Sequence, residues 1–256
     1  RHAEIIIKTL GLEDAKGVDS PAEKLSAEQQ ENDMKSPPLK GEDVKAYRSV
    51  TMRGAYLAQD SPDVAEAFKT LARHMKQPRE GHLQRLKRAG RFFQKYPLLK
   101  NVMQAQKEFK DLNMLVDTDH AGCAITRKST TGLAAVLGKH CVKTQSGLQS
   151  TVSLSSGESE FYGLVKGAQS GLGIQALLAD WKIGVRVVVK SDSSAARSYA
   201  CRTGLGKMRH VQTRYLWIQE RIREGHIDIE PIRGQNNPSD LMTKALQGAA
   251  RVICLN

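Results

Sequence analysis

The run from Val185 to Val189, valine at every position but Arg186, constrains the fold more than any other stretch of this chain. Apolar side chains on successive residues of a strand point to opposite faces, so both faces of this strand need covering. A sheet with helices packed over it meets that need, which places the chain in the α/β class. Asp192 lies just past the end of the run, and open α/β sheets form their sites beyond the carboxyl ends of strands. An earlier stretch, Leu115-Val116-Asp117-Thr118-Asp119-His120-Ala121-Gly122, has the same form: a strand end bearing acids that runs into a turn.

Around these two stretches the pattern from residue 111 onward is regular. Asp111 to Thr118 reads as a strand, Thr131 to Gly138 as a second, and Cys141 to Gln145 as a short third across a hairpin at Lys139-His140. Ser155-Ser156-Gly157-Glu158 has the spacing of a capping box. It opens a long helix whose buried stripe includes Phe161, Leu164, Val165, Ala168 and Leu172. After the valine run come a short helix over Ser193 to Arg202, a loop, and a helix over Val211 to Glu224. A strand over His226 to Ile232 and a helix start at Asn237-Pro238-Ser239-Asp240 complete the pattern. The predicted order is β-β-β-α-β-α-α-β-α, a mixed sheet with flanking helices over residues 111–250.

Ahead of this domain, residues 45–110 read as a small helical segment, with Ser61-Pro62-Asp63 as one helix start and a basic helix over Gly81 to Tyr96. That helix carries Arg85, Lys87, Arg88, Arg91 and Lys95, a candidate surface for a nucleic-acid backbone. Residues 1–44, polar and broken by Ser20-Pro21 and Ser36-Pro37-Pro38, read as a poorly ordered lead-in or linker. The chain opens on Arg1 rather than Met, as a fragment of a longer protein would.

Four acids recur at the ends of elements: Asp117, Glu160, Asp192 and Asp240. Gathered together they would repel one another unless a cation lay among them. Hard divalent ions such as Mg²⁺ take oxygen ligands of this type. Two such ions about 3.5–4 Å apart are suited to phosphodiester hydrolysis. Spacing leaves two choices open, since Asp119 would share the face of Asp117 in a continuing strand and Glu158 competes with Glu160.

The formal net charge of +12 favours polyanionic partners. No apolar stretch is long enough for a membrane helix. The 4 cysteines form no C-x-x-C pair, and His120-x-x-Cys123 and His140-Cys141 lack the paired spacing of structural zinc sites. Reduced thiols fit an intracellular protein, cytoplasmic or nuclear.

Several blocks resemble the ribonuclease H domain of copia-type retrotransposon Pol polyproteins. They are Val116 to Cys123 with Thr126 to Gly132; Gln149 to Tyr162; Lys190 to Ala195; Arg209 to Tyr215 with Ile218-Gln219-Glu220; and Asn237 to Leu246. They occur in the family's order and spacing. Tyr47-Arg48-Ser49, Tyr56-Leu57-Ala58, Ser61 to Ala65 and Lys87 to Arg91 are similar to the end of the reverse transcriptase and its connection to ribonuclease H. The resemblance implies a ribonuclease H-like fold with a mixed five-stranded sheet. It implies metal-binding and catalytic roles for Asp117, Glu160, Asp192 and Asp240, which resolves both open choices. It also implies two Mg²⁺ (or Mn²⁺) ions, cleavage of the RNA strand of an RNA–DNA hybrid, and the remainder of the polyprotein, including reverse transcriptase, as partner. Lys128, Lys143, Arg209 and His210 join the basic helix as candidate nucleic-acid contacts.

The chain departs from the family pattern at His120, Ser193 and Ala245, none of which is an acid of the set. No adjacent pair of aspartates of the polymerase type occurs, so DNA synthesis is not expected of this stretch. The alternatives are a catalytically inactive remnant that keeps the fold and binds nucleic acid, and a DNA nuclease of the same fold.

Overall fold

A computed structural model describes residues 1–246 apart from 98, 100, 107–108, 124–125 and 207–208. They fall into two compact units, one built on Arg1–Val102 and the other on Met103–Thr243.

The second unit is the α/β body. Strands β1 (Asp111–Asp119), β2 (Thr130–Leu137) and β3 (His140–Leu148) form an antiparallel meander. Strands β4 (Arg186–Ser191) and β5 (Ile227–Pro231) extend it on the other side, each parallel to its neighbour, in the order β3-β2-β1-β4-β5. The fold is the predicted mixed five-stranded sheet. Val187, Val188 and Val189 are all buried, as a strand covered on both faces requires.

The long helix, Ser156–Asp180, lies against β1 and β4. Its sequence makes close approach possible through Gly163, Gly167 and Gly171, which repeat every four residues on one face. A Cβ at Gly163 would stand 2.7 Å from Thr118, one at Gly167 2.7 Å from Val116, and one at Gly171 2.6 Å from Val187. The helix backbone therefore sits directly on the β-branched side chains of the sheet. Around this contact Leu112, Met114, Phe161, Leu164, Val187 and Ile218 form a fully buried core.

Three elements differ from expectation. The predicted helix over Val211 to Glu224 is a 3-10 turn, Thr213–Leu216, followed by an α-helix, Trp217–Arg223. The helix start at Pro238 gives a 3-10 helix, Pro238–Met242. Met103 to Lys110, assigned by pattern to the helical segment, groups with the sheet. Phe109 packs on the sheet's core, and the Gln106 amide donates to the Leu137 carbonyl at 3.2 Å.

In the first unit α1 (His2–Thr9), α2 (Ala27–Lys35), α3 (Gly41–Leu57), α4 (Ala65–Ala72) and α5 (Glu80–Lys95) surround Tyr47, Phe68, Leu86 and Phe92. Residues 1–44 are thus not a poorly ordered lead-in. Ala3 and Ile6 of α1 are buried in this core, and Ser26 caps α2 in a reciprocal pair with Gln29. The apolar Ile5-Ile6-Ile7 run supplies the burial that the polar residues around it obscure. No helix of the described residues is long and apolar enough to cross a membrane.

Candidate metal centre

Strands β1 and β4 run parallel in a register that pairs Leu115 with Lys190. Asp117 and Asp192 each lie two residues further on, so the two acids emerge side by side at the carboxyl end of the sheet. Glu160 comes from the first turns of the long helix, which the glycine stripe holds against the same strands. Ligand oxygens of Asp117, Glu160 and Asp192 lie within 4.8 Å of one another. Asp117 is buried, Glu160 half-buried and Asp192 exposed. Three residues separated by 32 to 43 positions in the chain therefore converge on one point.

Their surroundings hold them in place. The Thr118 backbone N–H donates to Glu160 at 3.2 Å, and the Ser191 hydroxyl donates to its other oxygen at 3.5 Å. The Thr243 hydroxyl donates to Asp117. Burial, and then the Asp117 carboxylate, push the Glu160 carboxyl up to about 7, with Asp192 adding to the shift. Burial first, and the two neighbouring carboxylates after it, favour the protonated form of this group.

Asp240 is in the 3-10 helix Pro238–Met242 and is not one of the three converging acids. Its turn is nevertheless fixed beside β1. The β1–β4 ladder ends at Leu115, and the Asn237 side-chain amide donates to the next carbonyl, Val116, at 2.9 Å. Thr243 bonds both the Asp117 carboxylate and the Asp240 backbone carbonyl. Gly132, opposite Asp117 on β2, leaves room for this turn. A Cβ there would stand 2.6 Å from the Ser239 carbonyl oxygen and 2.7 Å from Thr243. A glycine inside a strand marks close backbone approach, so Gly132 was legible as a candidate, whereas Asn237 and Thr243 carried no comparable signal.

Glu158, the rival to Glu160, points elsewhere. Its backbone N–H donates to Ser155 at 3.2 Å, but its carboxylate accepts from Leu154 N–H at 2.9 Å rather than closing the box on Ser155. The Tyr162 hydroxyl at 2.6 Å and His210 Nε2 at 2.9 Å complete its shell. Burial opposes ionisation of Glu158, but donors from Tyr162, His210 and Leu154 outweigh it and lower the carboxyl below its ordinary range. His210 is thus paired with a buried acid. Asp119 is at the end of β1, beside Gly122 rather than among the three acids.

The candidate nucleic-acid contacts are dispersed. Lys143 is exposed on the edge strand β3, Arg209 is exposed ahead of the Thr213–Leu216 turn, and Lys128 is half-buried in the β1–β2 connection. Arg85, Lys87, Arg88 and Arg91 are on α5 in the other unit. A cleft of about 440 Å³ between β2, β3 and the long helix is lined by Gln145, Gln149, Tyr162, Lys166, Arg214 and Tyr215 among others, and none of the four acids lines it.

The chain is 28% identical over 214 residues to the retrovirus-related Pol polyprotein from transposon RE1 of Arabidopsis thaliana, a match covering 81% of the chain and 14% of the polyprotein. It is 25% identical over 211 residues to that from transposon TNT 1-94 of Nicotiana tabacum, covering 75% and 14%. An uncharacterised mitochondrial protein of Arabidopsis thaliana matches 164 residues at 29% identity, 64% of the chain and 65% of that protein. No family model matches. Among solved structures, a foamy viral protease–reverse transcriptase in complex with dsDNA superposes with a TM-score of 0.51 at 14% identity, over 82% of this chain and 42% of that one, a likeness of fold. In sequence the chain is related to retrotransposon Pol polyproteins, and it spans a small part of their length.

Proposed function

We propose that the chain is a copia-type Pol segment that joins the tail of a reverse transcriptase to a ribonuclease H-like domain, and that it hydrolyses the RNA strand of RNA–DNA hybrids. The supporting observation is the convergence of Asp117, Glu160 and Asp192 at the ends of two parallel neighbouring strands. Crowded carboxylates, one of them driven to retain its proton, suit hard divalent cations in place of protons. Asp117, Glu160 and Asp192 would hold Mg²⁺ or Mn²⁺, with Asp240 joining them from its turn. Two such ions, when bound, supply activation of the attacking water and stabilisation of the departing 3′ oxygen.

The chain's own groups have distinct tasks. Thr243 and the Thr118 N–H orient Asp117 and Glu160, so the oxygens are set before substrate arrives. Asp192, the exposed member, leaves the acid cluster accessible to an incoming phosphodiester. The test incubates purified protein with a labelled hybrid and Mg²⁺. Cleavage that falls at least about 100-fold in Asp192→Asn is expected, and cleavage that is absent, or unchanged in the variant, rejects the reading. A duplex of DNA alone in the same assay tests the DNA-nuclease alternative.

One observation favours a second reading, a non-catalytic remnant: Asp240 is outside the converging group. Calorimetric titration with Mn²⁺ separates the two. A working site binds the ion with an affinity that Asp117→Asn and Asp240→Asn both reduce, whereas a remnant need show neither dependence.

A further inference from the structure

The basic face of α5 is already occupied, and by acids from the same unit. Arg85, Arg88, Arg91 and Lys95 recur at steps of three, three and four, so they form one stripe, roughly 15 Å long at 1.5 Å per residue. Residues 16–35 run along it. Arg88 pairs with Glu23 at 2.7 Å, and Arg85 pairs with Asp33 at 3.0 Å and Glu23 at 3.9 Å. Lys95 pairs with Asp19 at 2.6 Å, and the Arg91 Nε donates to the Lys16 carbonyl at 2.7 Å. Every cation of the stripe is therefore met by this strap.

The strap is held in two ways: near its start Val18 packs against the core of the unit and Ser20 is buried, and at its α2 end the attachment is largely electrostatic. Helix α2, which bears Asp33, buries no residue. Lys95–Asp19 is exposed on both sides and Arg88–Glu23 on the acid's side, while Arg85–Asp33 is half-buried; pairs that solvent and salt reach contribute little to stability and can be exchanged for a competitor of higher charge density. Duplex nucleic acid, with one negative charge per about 1.7 Å of axis, is such a competitor. The geometry points to an interaction surface for a nucleic-acid duplex on α5 that residues 16–35 cover in the free chain, with Asp19, Glu23 and Asp33 standing in for phosphates. This deepens the nucleic-acid part of the proposed function and is independent of the chemistry at Asp117, Glu160 and Asp192.

The experiment uses the full chain and a fluorescent RNA–DNA hybrid in EDTA, so that binding is read without cleavage. The triple variant Asp19→Asn, Glu23→Gln, Asp33→Asn is expected to bind about 3- to 10-fold more tightly than wild type, with a log–log salt slope more negative by about 2. Adding Arg88→Gln and Arg85→Gln to that variant should reverse the gain. A second measurement uses the unaltered protein: saturating hybrid should speed hydrogen exchange over residues 16–35. Equal affinities and slopes in wild type and the triple variant, or unchanged exchange over 16–35, overturn the proposal. A failure of hybrid cleavage in Mg²⁺, with these binding results intact, would count against the nuclease reading alone.

Discussion

At the scale of single residues, Glu160 carries the most information. Its carboxyl is raised from 4.5 to about 7 by burial and by Asp117. Between those values the folded chain keeps a proton that the unfolded chain has lost, so this group's contribution to stability is present below about 4.5 and lost as pH rises through about 7. Glu160→Gln is therefore expected to stabilise the metal-free protein by about 1–2 kcal/mol at pH 8, with little effect near pH 4.5. Urea melts at the two pH values check this. Mg²⁺ should raise the melting temperature of wild type and do so less for the variant. Spacing alone did not choose between Glu158 and Glu160; the resemblance did, and the packing gives the reason. Glu158 is turned toward Leu154, Tyr162 and His210, and Glu160 toward Thr118.

At the scale of elements, the long helix and α5 make different demands. The Gly163, Gly167 and Gly171 stripe is a contact in which the sheet's methyl groups replace helix side chains. Gly167→Val would force a branched side chain against Val116, and a loss of about 1–3 kcal/mol is expected in denaturant melts, despite the better helix propensity. In α5, His82 is buried and its ring stacks on His74 at 3.8 Å. Burial, then the neighbouring His74, hold its imidazole down at about 4. Stability tied to the neutral ring is full above about 6.5 and is lost as pH falls toward about 4, because the unfolded chain takes up the proton first. A loss of about 1–2 kcal/mol across that window is expected in wild type, and His82→Leu should flatten it. Strands and the long helix were legible in the sequence because period and β-branching agree over β1, β2 and β4. The helices of residues 1–44 were not, because α2 is polar all round and is held through pairs with α5, which no local pattern records.

At the scale of the whole molecule, the formal charge of +12 governs encounter with a polyanion. Hybrid binding should fall steeply with salt, with a log–log slope near −5 for about six phosphate contacts, and Asp192→Asn should leave that slope unaltered. Anisotropy titrations between about 50 and 200 mM salt, the range where such slopes are resolved, provide the check. The candidate site was readable as four scattered acids. Its assembly was not, because it depends on which strands neighbour each other and on a turn whose hold on β1 runs through Asn237 and Thr243. Gly132 carries a lesson about descent. One added methyl on β2 would collide with the Pro238–Met242 turn and force it to shift while every carboxylate stayed encoded. Judging which sequences of this kind still function by counting their acids would therefore miss lesions that leave the reactive residues untouched.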